Sequence, residues 1–121
     1  MTSYLISPAE ETNLKIEREM FACQIYKQWH SAEVKLIDKP QSKNILEWRI
    51  NLDKSILDGY LDVNGQVIQL YGSLNNSAYF AVWIRKQVSS EYKLFFYDEG
   101  YNADVELVQN ITEREIIKAF V

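Results

Sequence analysis

His30 and Cys23, one histidine and one cysteine, are the most reactive side chains in this 121-residue chain. They lie seven residues apart on a predicted helix, two turns from each other, too far for an imidazole to take a proton directly from a thiol. A buried thiol and a histidine near a helix C-terminus, where positive charge is favoured, account for both without catalysis. A Ser-His-Asp arrangement would have to recruit His30, and no GxSxG elbow accompanies it. A lone thiol with a lone imidazole also excludes an internal disulfide and a Cys/His zinc cluster. No metal and no other cofactor is expected.

Carboxylates are more plentiful. Asp53, Asp58 and Asp62 flank the DKSILDG stretch, and Asp98, Glu99, Asp104 and Glu106 cluster around DEGYNADVE. Neither stretch has the alternating oxygen ligands and closing glutamate of an EF-hand loop, so both are read as solvated acidic turns. A glycosidase-like pair would need a cleft for which so short a chain shows no obvious room. The four glycines, Gly59, Gly65, Gly72 and Gly100, all fall at predicted turns, and none belongs to a phosphate-cradling loop. The chain reads as non-catalytic.

Net charge is -4, with acids and bases mixed along the whole length. That argues against non-specific nucleic-acid binding, in which clustered cations neutralise phosphates. Aromatics on a sheet could stack on single-stranded RNA, but the neighbouring cations Arg49, Arg85, Lys86 and Lys93 are few and offset by acids. A composition of 47% hydrophobic and 25% charged residues fits one soluble domain spanning residues 1–121. The N-terminus, MTSYLISPAEET, lacks the basic and apolar regions of a signal peptide. The longest apolar run, Tyr79 to Ile84, is far short of the ~20 residues that cross a bilayer. With one cysteine and no such segment, the protein is expected to be cytoplasmic and not membrane-bound.

The elements that must position these residues are set by spacing. SPAE at 7–10 predicts a helix start, with Ser7 capping, Pro8 in the first turn and Glu10 completing a capping box. The helix is expected to run from Pro8 to about Gln28 or His30. Leu14, Phe21, Ala22, Ile25 and Trp29 form its core face, and Ile16, Met20 and Cys23 form a second, narrower strip. VKLI (34–37) predicts a short strand, DKPQSKN a loop, and ILEWRINL (45–52) a strand with Leu46, Trp48, Ile50 and Leu52 inward. GYLDVNGQVIQLYG predicts a hairpin with a two-residue turn at Asn64-Gly65, which sets Leu61 opposite Ile68 and Tyr60 opposite Gln69. Leu61, Val63, Ile68 and Leu70 would then face the core, and Tyr60, Asp62, Val67, Gln69 and Tyr71 the outside. SLNNSA reads as a loop, DEGYN as a turn, ADVELV (103–108) as a last strand, and TERE (112–115) as a capping box opening a short terminal helix.

Between these lies AYFAVWIRKQVSSEYKLFFYDEG, read as two strands, 79–87 and 92–97, apolar on both sides. Either pairing register leaves aromatics on both faces, and the long helix can cover only one; the other is left to the terminal helix or a curled sheet edge of the same chain, to a second copy, or to another protein or an apolar ligand. The fold class expected is α+β: a long N-terminal helix on an antiparallel, meander-like sheet of about six strands, closed by a short C-terminal helix. The function that fits is a non-catalytic interaction module, binding itself as a homodimer or another protein through an aromatic sheet face formed by Tyr79, Trp83, Arg85, Phe95 and Tyr97. An acidic inhibitor or immunity-like protein, steered by Asp98, Glu99 and Asp104 onto a basic partner, is a narrower form of that reading. The alternative is a small-molecule carrier whose apolar pocket lies between helix and sheet, lined by Trp48 or Trp83.

Overall fold

A computed structural model describes residues 3–9, 12–52 and 55–121. The elements in chain order are β1 (Ser3–Ser7), α1 (Arg18–Gln28), β2 (Glu33–Leu36), β3 (Asn44–Leu52), β4 (Ser55–Asp62), β5 (Ile68–Tyr71), α2 (Leu74–Gln87), β6 (Phe95–Asp98), β7 (Asp104–Glu106) and α3 (Glu113–Lys118). The fold is α+β. The seven strands of the described residues join one antiparallel sheet in the order β2-β3-β4-β5-β1-β6-β7.

The N-terminus departs from the expected long helix. Ser7 ends a strand rather than capping a helix, and β1 lies inside the sheet between β5 and β6. The proposed cap partner Glu10 lies outside the described residues, as does Asp53. Residues 12–17 stay irregular because the β4–β5 turn holds them. The Ile16 N–H donates to the Gly65 carbonyl at 2.8 Å, and Gln66 Nε2 donates to the carbonyls of Thr12 and Leu14. The helix begins only where Glu17 caps it, its carboxylate accepting from the Glu19 and Met20 N–H groups. Phe21 and Ile25 of its expected core face are buried, Ala22 and Trp29 are half-buried, and Met20 and Cys23 are exposed.

The second departure is larger: residues 74–87, expected as a loop and a strand, form the longest helix. Ser73 caps it by accepting from the Asn76 N–H, and Ser77, Ala78, Phe80, Ala81, Ile84 and Arg85 form the buried stripe. Those positions follow a helical period, with small residues at 77, 78 and 81 allowing close approach to the sheet. The expected partner strand survives in part, as β6.

Trp48, Gly59, Leu70, Tyr4 and Asp98 form a single row across the inner side of the sheet. All three helical regions meet this side. Phe21 of α1 packs edge-on to Trp48 at 5.4 Å, Phe80 of α2 stacks on it at 5.6 Å, and Phe120, just past α3, meets Tyr4 and Phe96. Burying these large rings, together with the Leu and Ile side chains around them, drives the packing of the core. Among the described residues no helix lies on the opposite side of the sheet.

Candidate functional site

The uncovered side is built by strand alternation. Successive side chains point to opposite faces, so inward Leu57, Leu61, Ile68, Leu70, Ile6 and Phe96 place their neighbours Tyr60, Gln69, Tyr71, Leu5, Phe95 and Tyr97 outward. One outward row crosses all seven strands: Lys35, Glu47, Tyr60, Gln69, Leu5, Tyr97 and Asp104. Beside it run Glu33, Arg49, Asp58, Tyr71 and Ser3. The middle strands thus carry the apolar and aromatic groups, and the edges the charges.

Within that middle, Tyr60 and Tyr71 meet edge-to-face at 5.8 Å, and Tyr97 and Tyr101 lie 5.2 Å apart at a tilt. The Tyr97 hydroxyl and Ser7 Oγ share a hydrogen bond of 2.9 Å, which anchors that ring over β1. Burial, with the Glu47 and Asp58 carboxylates and Tyr71 beside it, raises the Tyr60 phenol above its ordinary range, outweighing Arg49. Tyr60 therefore stays protonated and available as a donor. The Ser3 hydroxyl is buried on this side with no hydrogen-bond partner among the described residues.

At the β2–β3–β4 end, a groove of about 400 Å³ is lined by Glu33, Lys35, Glu47, Arg49, Asp58 and Tyr60. Its cations are already engaged. Arg49 donates to both Asp58 oxygens, at 2.8 and 3.3 Å, and Lys35 lies 4.0 Å from Glu47. The hydrogen bond and charge of Asp58 raise the Arg49 pKa further, so the guanidinium keeps its charge.

At the other end the carboxylates divide by role. Asp98 points inward and accepts from the Asn102 N–H and side-chain amide, each at 2.8 Å, and from the Ala103 N–H at 3.1 Å. It holds the turn that sets Tyr101 at a positive φ of 54°, so it is not free to steer a partner. Asp62 is committed likewise, accepting from the Gln66 and Val67 N–H groups in the hairpin turn. Glu99, Asp104 and Glu106 remain exposed, and among the described residues none of them makes an ion pair within 4.0 Å.

The five residues expected to share one sheet face do not do so. Phe95 and Tyr97 are on the open side of β6. Tyr79 and Trp83 are on α2, across the molecule, where both pack on Trp29 and Trp83 also meets Phe21. Arg85 is 3% exposed, and its guanidinium donates to the carbonyls of Tyr92, Leu107, Val88 and Ser89. Burial lowers its pKa, with Glu106 opposing. It closes the C-terminal end of α2, and its burial, with Nε unpartnered among the described residues, leaves it no face to present to a partner. Tyr60, Tyr71, Leu5 and Tyr101 complete the open side. The hairpin's alternation had already placed Tyr60 and Tyr71 outside, whereas nothing local marked Leu5 as belonging to a central strand.

Cys23 and His30 are both exposed, and among the described residues no group of three His, Cys, Asp or Glu side chains could hold a metal ion. Among the same residues no helix is long and apolar enough to cross a membrane. Comparison with protein-family models, with curated proteins and with solved structures gives no match to this chain.

Proposed function

We propose that the protein is a non-catalytic interaction module that docks through the open side of its sheet, on another protein or on a second copy of itself, in the cytoplasm. One observation carries this reading: the three helices of the described residues all cover one side, and the other presents Leu5, Tyr60, Tyr71, Phe95 and Tyr97 framed by charged edges. An apolar, tyrosine-rich centre inside a charged rim is the composition of protein interfaces. The carrier alternative has less support, because Trp48 packs between Phe21 and Phe80 where its pocket would lie.

Light scattering over a dilution series, paired with quantitative affinity capture, tests the proposal. The double variant Tyr60→Ala/Tyr97→Ala should lose whatever association the native chain shows, while Tyr26→Ala, exposed on the helical side, should retain it. Association indifferent to the sheet variants, or abolished by Tyr26→Ala alone, overturns the reading.

A further inference from the structure

With the open side taken as the proposed interface, on which the inference rests, its charge pattern discriminates among occupants. At the β2–β4 end both cations of the face, Lys35 and Arg49, are matched by Glu47 and Asp58. At the β6–β7 end, among the described residues, Glu99, Asp104 and Glu106 make no ion pair within 4.0 Å; Glu106 lies in the field of the buried Arg85, and Lys93, just ahead of β6, pairs with none of them. Glu99 accepts only from Gln69 Nε2, at 3.3 Å, and Asp104 from the Tyr101 hydroxyl at 3.1 Å. Neither bond supplies positive charge.

These carboxylates border two rings. Tyr97 and Tyr101 stand between them and Leu5, and Tyr101, 63% exposed, is held out by the turn that Asp98 organises. Ring faces attract cations, and carboxylates do so more strongly, so both favour the same kind of group. From Leu5 on β1 to Asp104 on β7 is two strand spacings, about 10 Å. An arginine or lysine whose backbone lies over Leu5 can lay its stem on Tyr97 and reach that rim.

We infer that the occupant of this side is a cationic protein segment, whose apolar groups cover Leu5, Tyr60 and Tyr97 and whose Arg or Lys side chains meet Glu99, Asp104 and Glu106. A second copy fits less well. In its strands this face offers only Lys35 and Arg49, both already paired, with one exposed lysine, Lys93, just ahead of β6, on a chain of net charge -4. Nucleic acid would bring phosphates against the unmatched carboxylates.

The test uses the full chain, isotopically labelled, with two synthetic heptapeptides, RLRLRLR and ELELELE, and reads amide shift mapping and calorimetry. RLRLRLR should bind about tenfold or more tightly than ELELELE at low salt, shift amides on β1, β6 and the 98–104 turn, and weaken about tenfold on adding ~0.3 M salt. The triple variant Glu99→Gln/Asp104→Asn/Glu106→Gln, with its fold checked by circular dichroism, should lose that preference. Equal binding of the two peptides, binding of neither, shifts confined to the helical side, or a preference unchanged in the triple variant overturns the inference. A concentration-dependent dimer that shields the same amides also overturns it, while leaving the interface reading standing. Loss of association in Tyr60→Ala/Tyr97→Ala reports on that reading separately.

Discussion

Trp48 and Gly59 are direct partners in the β3–β4 ladder, and the indole occupies the space that a side chain at position 59 would need. The ring cannot retreat, since Phe21 and Phe80 pack against it. Gly59→Ala should therefore destabilise the fold by about 3 kcal/mol, the upper end of what overpacking a filled core costs. Urea denaturation followed by tryptophan fluorescence checks this, and an unchanged midpoint would mean that the indole has room to move.

Arg85 should prove structural. Replacing it with Met removes the donor from four carbonyls, and the expected loss is about 3 kcal/mol by denaturation. Arg85→Lys should recover only part, because an ammonium lacks the planar fork. Hydrogen exchange should quicken first around residues 88–92. Partner binding at the sheet face, measured on the folded fraction, should not change.

Asp98 gives stability a dependence on pH. Burial raises its carboxyl pKa, but the hydrogen bonds from Ala103 and Asn102 outweigh that and hold it below the ordinary carboxylate value. A pKa lower folded than unfolded means that the charged form favours the native state. Its contribution is complete above the ordinary value of about 3.9 and is lost as the pH falls through the lowered one. Glu17, held low chiefly by the Met20 and Glu19 N–H groups, acts in the same direction. The urea midpoint should fall on acidification below about pH 4. Asp98→Asn should flatten that fall, and a slope unchanged in the variant would assign it to other carboxylates.

Thr112 and Glu115 form both arms of a capping box, with the Glu115 N–H donating to Thr112 Oγ1 and the Thr112 N–H to the Glu115 carboxylate. This short helix positions Ile116 and leads to Phe120, which packs on Tyr4 and Phe96. Thr112→Ala should cost about 1 kcal/mol, while Thr112→Ser should be close to neutral. A loss that Thr112→Ser shares equally would point to the methyl group rather than the cap.

Local signals identified several elements correctly. The alternation in ILEWRINL placed Leu46, Trp48 and Ile50 inward, and the TERE box forms as expected. The hairpin register is also the expected one, with Leu61 opposite Ile68 and Tyr60 opposite Gln69. Its turn is wider than two residues, since Asp62 accepts from Gln66 and Val67 while the Val63 N–H pairs with the Lys43 carbonyl. Val63 is therefore exposed. Residues 79–87 misled because Phe80 and Ile84 are four apart, a spacing that suits alternation by two as well as a helical turn.

Spacing within the chain already specified that it is α+β and that β3, β4 and β5 present one dry and one wet side. Those properties depend on neighbours within a few residues, where period, caps and turn chemistry act. Which elements meet was set by contacts between segments distant in the chain. Residues 3–7 became a central strand because β5 and β6 both had an edge to pair. The run at 74–87 became a helix because the inner side of the sheet needed a cover that small residues at 77, 78 and 81 let approach. With α1, α2 and α3 on that inner side, the outward tyrosines of β4, β5 and β6 were left together on the other, a juxtaposition set by strand order.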